Sequence, residues 1–217
     1  MWDADPSDLE ADLGNFSSAF GQRLPVVDLG CGDGRQTRFL GQHFPTVCGV
    51  DISRAAIGRA RAAHNPANVS FQVLDARDAG QAQSLHSQLG DANVYIRGVL
   101  QALPPPARPQ AAETIARLLG ATGTLFAKEL PPAARSYFAD VAERHGLPPA
   151  LARIMQLIPP GEISEPELAV LFPADRFDVI RKGASHIHTV NTLPDGEVFR
   201  VPAIYALIRP RQGRAQA

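Results

Sequence analysis

The chain contains few of the residues that build disulfide frameworks, zinc clusters or membrane spans. Its 217 residues include two cysteines, Cys31 and Cys48, and neither a Cys-x-x-Cys pair nor a His/Cys cluster with zinc spacing. No apolar run approaches the ~20 residues that span a bilayer, and the acidic start lacks the apolar segment of a signal peptide. We therefore expect a cytoplasmic protein without disulfides, without a bound metal and without a membrane partner.

A strong net charge of either sign is also missing. The 21 Lys and Arg and the 22 Asp and Glu residues leave a formal net charge of −1, and basic residues gather only over 209–214. This balance argues against nucleic acid as a partner, because such a partner requires a large basic surface. We interpret residues 210–217 as a flexible tail. A chain of this length with 45% hydrophobic residues predicts one domain with a full core.

Short apolar runs alternate with helix-like segments along the first 130 residues. This alternation predicts parallel strands joined by helical crossovers. Beyond residue 130 the pattern changes to helices over 131–145 and within 147–172, then to two strands, 177–190 and 198–208, joined by a turn at 194–197. The predicted strands before that point are 24–29, 46–50, 69–74, 92–96 and 123–128, and the predicted helices are 6–20, 34–43, 54–63, 81–89 and 105–119. The sequence thus predicts an α/β, doubly wound, Rossmann-like sheet of seven strands, with five parallel strands, a terminal hairpin that adds one antiparallel strand, and helices on both faces.

Residues 26–34, Val-Val-Asp-Leu-Gly-Cys-Gly-Asp-Gly, carry the strongest functional signal. Glycines at 30, 32 and 34 let the backbone adopt positive φ and let a ligand approach bare main chain. The helix that follows offers unpaired N–H groups to an anion. A dinucleotide-binding turn requires its third glycine at the position that Arg35 occupies.

With Asp28 two residues before the first glycine, this pattern resembles the class I methyltransferases that use S-adenosylmethionine (SAM). The resemblance covers about residues 24–130 by motif and the rest by topology. It implies SAM as cofactor and S-adenosylhomocysteine as product, bound at the carboxyl ends of the strands. The cofactor-binding residues that it implies are Asp28, Gly30, Cys31, Gly32, Asp51, Ile52, Asp75, Ala76 and Ile96.

The resemblance also implies a role for each group. The Gly30–Gly32 backbone lines the methionine portion, Asp28 and the Ile96 backbone face its ammonium, and Asp51 accepts from both ribose hydroxyls. Ile52 packs on the adenine, Asp75 accepts from its amino group, and the Ala76 amide faces a ring nitrogen. Two alternatives stay open, since Asp51 beside Ser53 also suits a helix start and Asp75 also suits a turn.

The run Arg97-Gly98-Val99-Leu100 is similar to thiopurine methyltransferase and other small-molecule methyltransferases, and it implies that Arg97 lies beside the acceptor. Residues 95–98 also lack the Asn/Asp-Pro-Pro-aromatic motif of enzymes that methylate amino groups of adenine or glutamine. We therefore predict a small, apolar or aromatic acceptor. His186 and His188 are the candidate general bases, because histidine titrates near neutrality; an exposed strand pair is the alternative. Glu129 is a weaker candidate that could equally be solvated.

Helix 1–22 and segment 131–176 are the predicted lids over a cofactor-binding core at 23–130, followed by the hairpin at 177–209. Five apolar residues are candidates for an acceptor pocket, with core packing as the alternative interpretation: Phe16, Met155, Leu157, Ile158 and Phe172. Three other functions remain open: a nicotinamide-dependent oxidoreductase, a SAM-binding regulatory protein without turnover, and an RNA or protein methyltransferase. The chain is expected to act as a monomer or a homodimer.

Overall fold

The computed structural model describes residues 6–21, 23–146, 161–192 and 198–212. Its sheet has the strand order β3-β2-β1-β4-β5-β7-β6. Strands β1 to β5 are parallel, and β7 is antiparallel to both of its neighbours. The predicted seven-stranded fold is thereby confirmed. The strands are β1 Val26–Leu29, β2 Val47–Asp51, β3 Val69–Val73, β4 Asn93–Arg97, β5 Leu125–Glu129, β6 Phe177–Thr192 and β7 Val198–Pro210. The helices are α1 Pro6–Phe16, α2 Arg35–Leu40, α3 Arg54–Ala63, α4 Ala79–Leu89, α5 Arg108–Leu119, α6 Ala133–His145 and α7 Glu165–Leu171.

The central strands are buried on both faces, which explains why they read as continuous apolar runs. On one face, Val26, Tyr95 and Phe126 pack with Phe16 and other aromatic side chains of the segments around α1 and α2. On the other face, alternate residues of the same strands pack against α4, α5 and α7. Residues that are paired in register on neighbouring strands point to the same face of the sheet. The position of a residue along its strand therefore decides which helices its side chain contacts.

Several element ends differ from the predicted ends for local reasons. Helix α1 ends at Phe16, although the predicted end residue, Phe20, is still buried. Helix α4 begins at Ala79, two residues early, because Asp78 accepts hydrogen bonds from the amides of Gly80 and Gln81. The predicted helix over 105–119 begins as a 3₁₀ turn at Pro105–Ala107 before α5. The predicted turn at 194–197 and residues 147–160 lie outside the described residues.

The terminal hairpin is much longer than the parallel strands. Strand β6 has 16 residues and β7 has 13, whereas β5 pairs with β7 only over Ile204–Ile208. The outer part of the hairpin packs instead on α6, where Phe138 and Val141 share a cluster with Ile187 and Val201. Within the described part of the chain, no helix is long and apolar enough to cross a membrane.

Candidate active site

The glycine turn after β1 has the predicted conformation. Gly30, Gly32 and Gly34 have φ angles of 83°, 55° and 84°. A Cβ on Gly34 would lie 2.7 Å from the Phe71 ring, so this glycine permits close packing of α2 on β3. A Cβ on Gly32 would meet nothing within 4 Å. The turn therefore presents bare backbone to open space at Gly32, while the Cys31 side chain between the glycines is buried.

Asp51, the last residue of β2, is bound to the glycine turn. Its Oδ2 accepts from the Gly32 amide at 3.0 Å, and its Oδ1 accepts from the Ser53 amide at 2.8 Å. These two bonds fix the carboxylate between the turn and the start of α3, where Ser53 caps the helix. An ionised carboxylate offers about four acceptor positions, so Asp51 retains capacity for donors of a ligand.

Apolar side chains are exposed beside Asp51. Ile52 is 57% exposed, and Val73 at the end of β3 is 38% exposed. Ile52 directly follows β2, whose apolar residues are buried, and Val73 is the last residue of β3, so both lie where parallel strands end. Such a surface suits a flat ring, since covering it removes apolar area from water.

Asp75 lies two residues beyond the end of β3 and is bound to Arg77. The Arg77 Nε and Nη2 donate to the two carboxylate oxygens at 2.9 and 2.7 Å. The hydrogen bonds from Arg77 hold the pKa of Asp75 below its usual value. An open cavity of about 590 Å³ adjoins Asp75, between this turn and the turn at Pro104–Ala107. A ligand amino group at Asp75 would have to share its oxygens with Arg77, and Ala76 beside it is half-buried.

Asp28 does not face an open crevice, contrary to the expectation for an acid at the strand end. It lies one residue before the end of β1, is 1% exposed, and accepts from the Thr37 hydroxyl at 2.7 Å. Burial raises the pKa of Asp28 to about 7. In this structure the residue ties α2 to the sheet. Ile96 is likewise fully buried, with its backbone paired between Leu29 and Ala127.

Arg97, at the end of β4, enters a buried group of charges that we call the ion cluster: Asp8, Asp12, Tyr95, Arg97 and Lys128. Arg97 Nη2 donates to Asp8 at 2.7 Å, and the side chains of both residues are 3% exposed. Lys128 donates to Asp8 and to Asp12, each at 2.8 Å. The Tyr95 hydroxyl donates to Asp12 at 3.1 Å. Burial raises the pKa values of Asp12 and Tyr95.

The ion cluster joins α1 to the ends of β4 and β5, and three of its members were not predicted from the sequence. Asp8 and Asp12 lie four residues apart, and Phe16 lies four further on, so all three lie on one face of α1. Lys128 stands in the apolar strand β5 and is fully buried. A single lysine within an apolar strand was the available signal that acids would come from another element.

The two candidate histidines lie on β6, opposite Pro202 and Arg200. Their ring centroids are 6.4 Å apart. His186 is exposed and His188 is half-buried. Burial lowers the pKa of His188, and Asp8 and Lys128 of the ion cluster also act on it electrostatically. His188 therefore lies within electrostatic reach of the ion cluster, whereas the ring of His186 lies at the surface.

The structure decides between the alternatives that the sequence left open for two sets of acceptor-side candidates. Glu129 is fully buried rather than solvated, and burial raises its pKa to about 7. For Phe16 and Phe172 the core-packing interpretation applies, because Phe16 packs among core aromatics and Phe172 packs against Phe177. The other three candidates, at 155, 157 and 158, lie outside the described residues.

Comparisons with known proteins agree with this geometry. A family model described as a methyltransferase domain matches residues 26–123. A SAM-dependent methyltransferase from Anabaena variabilis ATCC 29413 is 33% identical, with 97% of this chain and 87% of that chain covered and a TM-score of 0.91. A TehB-like SAM-dependent methyltransferase from Corynebacterium glutamicum, at 15% identity, covers 92% of this chain and 87% of its own with a TM-score of 0.59, and shares the fold.

A shorter match joins the chain to a second named methyltransferase. Trans-aconitate 2-methyltransferase of Deinococcus radiodurans is 40% identical over 81 residues, which is 36% of this chain. The match spans 28% of the length of that enzyme. The similar residues cover only part of either protein. The match therefore supports a shared methyltransferase domain and does not indicate a shared acceptor.

Proposed function

Because this chain belongs to the class I SAM-dependent methyltransferases, we propose that it transfers the methyl group of SAM to a small-molecule acceptor. The observation that carries the proposal is the open backbone at Gly32, with the Asp51 carboxylate bound directly to it. The residues present fit the cofactor. An amino-acid tail can lie against bare peptide at the turn, and the hydroxyls of a ribose can donate to Asp51.

The remaining cofactor contacts are proposals of the same kind. Ile52 covers one face of the adenine, and Asp75 and the Ala76 amide lie at its edge. Gly30, Cys31 and the Ile96 backbone border the methionine portion. Asp28 acts on the ammonium without contacting it, since its carboxyl group is buried and does not reach an open crevice.

When bound, SAM supplies a methyl group on a sulfonium sulfur. The leaving group is S-adenosylhomocysteine, which needs no activation by the protein. The chain therefore contributes position, alignment and exclusion of water. We assign Arg97 and His188 to the acceptor side, with His188 as the general base where the acceptor must lose a proton. His186 is the second candidate for this proton transfer.

The acceptor is proposed to be a small apolar or aromatic molecule and not a nucleic acid or a protein. The near-neutral net charge and the Tyr95–Gly98 sequence at the end of β4 support this choice. A small acceptor also appears in the name of the Deinococcus radiodurans relative, which methylates trans-aconitate.

The test is a transfer assay with the full chain and SAM labelled in its methyl group. The acceptor panel pairs phenols, thiols, amines and carboxylic acids with tRNA and a protein extract. Transfer to one small-molecule class, with no label in polymer, is the expected result. Label in tRNA or protein would overturn the acceptor proposal. Binding of SAM with no transfer to any member would favour a regulatory protein.

A further inference from the structure

Glu129 holds three successive amides of the loop that follows β4. Its Oε1 accepts from the amides of Val99 and Leu100, each at 3.1 Å, and its Oε2 accepts from the amide of Gln101 at 3.0 Å. The carboxyl group is fully buried, and these bonds satisfy amides that no strand or helix pairs. The loop after β4 is therefore built around an acid from β5.

The same loop supports the glycine turn. A Cβ on Gly30 would lie 2.6 Å from Val99 Cγ2, so the Val99 side chain lies directly against the Gly30 backbone. On its other side, the turn is held by Val50, whose carbonyl accepts from the amides of Gly30 and Cys31 at 2.7 and 3.0 Å. The turn is thus fixed between β2 and the loop that Glu129 holds.

A second contact makes the loop rigid at the end of β5. The Gln101 side chain accepts from the amide of Leu130, the residue after Glu129. A Cβ on Gly161 would lie 1.8 Å from the Gln101 carbonyl oxygen, so the chain passes this loop at a distance that only glycine allows. Gln101 and Glu129 together fix the loop to β5 from both directions.

We propose that Glu129 is a positioning residue for SAM, which holds Val99 against Gly30 and so sets the position of the glycine turn. Glu129 acts through Val99 and does not touch the cofactor. The inference rests on the proposed function only for its cofactor, which binding of SAM to the unaltered chain tests separately.

The first experiment measures SAM affinity by calorimetry for the full chain and for Glu129→Gln. The amide of glutamine keeps the volume but places an N–H₂ group opposite at least one backbone N–H. We expect SAM to bind about tenfold more weakly, since one of the three hydrogen bonds to the side chain at position 129 is lost and the loop relaxes. An affinity equal to that of the unaltered chain would overturn the proposal.

Asp91→Asn is the matched control for a merely structural effect. Asp91 also holds a loop, because its Oδ2 accepts from the amides of Ala121 and Thr122 at 2.9 and 3.0 Å. Asp91 precedes β4, however, and therefore lies at the amino-terminal ends of the parallel strands, whereas the glycine turn lies at their carboxyl ends. We expect Asp91→Asn to lower thermal stability and to leave SAM affinity unchanged, which separates positioning from folding.

A double-mutant cycle tests the route through Val99. Val99→Ala removes the side chain that lies on Gly30 and leaves the three bonds to Glu129 in place, so it weakens SAM binding by itself. In that background Glu129→Gln should add less than half of its own effect on a logarithmic scale, because the contact that it acts through is gone. Additive effects of the two changes would show that Glu129 acts on SAM by another route and would contradict the proposal.

Discussion

The ends of β1 to β3 and the ends of β4 and β5 form one edge of the sheet but are built differently. At β1 to β3, the backbone is open at Gly32, Ile52 is exposed, and Asp51 accepts from amides close by. At β4 and β5, α1 covers the strands, and its acids bind Arg97 and Lys128 in a buried cluster. The ends of β1 to β3, which we call the open half, are made of loops that are close in sequence. The ends of β4 and β5, which we call the closed half, need residues from opposite ends of the domain. The half proposed to bind the cofactor is therefore local and open, whereas the half proposed to bind the acceptor is distant and closed.

The largest expected loss of stability comes from Lys128→Met, which removes one cation from the ion cluster of the closed half. Two carboxylates, on Asp8 and Asp12, would then stay buried with one cation fewer. Removing one partner of a buried ion pair costs about 3–5 kcal/mol of unfolding free energy. We expect about 5 kcal/mol here, the upper end of that range, because Lys128 serves two acids. Urea denaturation measures this loss.

Lys182→Met is the control, because Lys182 and Lys128 are the two lysines of the chain. Lys182 pairs with Glu165 at the surface, where the two side chains are 61% and 49% exposed. A pair of this kind contributes at most about 1 kcal/mol. Equal losses for the two lysine variants would show that burial of the ion cluster does not matter.

A pH series on Asp28→Asn examines a buried acid of the open half, whose partner is a hydroxyl and not a cation. The pKa of Asp28 is about 7 in the folded chain and near 3.8 when unfolded. The folded chain thus retains a proton that the unfolded chain has lost, so this contribution to stability falls as the pH rises from about 4 to about 7. Asparagine does not titrate. Between about pH 5 and about pH 8, the stability of Asp28→Asn should gain about 3 kcal/mol relative to the unaltered chain.

Denaturant midpoints at several pH values give this difference, and the other titrating groups cancel because both proteins contain them. A constant difference across the range would mean that Asp28 titrates at its ordinary value. It would also remove the contrast between an acid that faces a hydroxyl and acids that face cations.

Asp51→Ala tests the open half in binding. It should weaken SAM binding by about 1.5–3 kcal/mol, the value of hydrogen bonds to a charged acceptor, while the fold stays intact. Asp140→Ala removes a surface acid that pairs with Arg144 on α6, and it should leave the affinity unchanged. Calorimetry on both variants gives the comparison, and equal affinities would refute the assignment of the ribose to Asp51.

The smallest effect on stability is expected from Gly32→Ala. Its φ of 55° costs an alanine about 1 kcal/mol, while SAM affinity should fall further because the methyl group enters the open space at the turn. A Cβ on Gly58, in α3, would also meet nothing within 4 Å, and alanine there should stabilise the helix by up to about 1 kcal/mol. If both variants bind SAM equally well, the open space at Gly32 is not the cofactor site.

The open half was largely predictable because its determinants are adjacent in sequence. The run from Val26 to Gly34 gives the strand, the turn and the start of the helix, and each of these is local chemistry. The bond between Asp51 and the Gly32 amide spans 19 positions within one crossover, so the strand order already brings these groups together. Predicting the sheet therefore predicted where most of the candidate residues lie, with the buried Asp28 as an exception.

The closed half was not predictable in the same way. Lys128 bonds to Asp8 and Asp12 across 120 and 116 positions, and no pattern within α1 specifies that distance. Glu129 was open to a solvated interpretation because it is charged and ends the predicted strand, and no role was predicted for Lys128. Successive strand residues point to opposite faces, so Lys128 is covered by α1 while Glu129 turns to the loop after β4. Both residues are buried by contacts with other elements, and the residues beside them in the sequence do not indicate those contacts.

The length of the terminal hairpin has a consequence for local opening. Among the residues that the structure describes, no third strand lies beside the outer part of β6 and β7, and an isolated two-stranded ribbon is marginally stable in water. Apolar side chains of this ribbon, Ile187 and Val201 among them, pack with Phe138 and Val141 of α6 in one cluster. We therefore expect helix and ribbon to unfold together as one cooperative unit while the five parallel strands stay intact. Amide protons of α6 should consequently exchange with solvent at the same rate as those of the outer ribbon, and faster than those of β1.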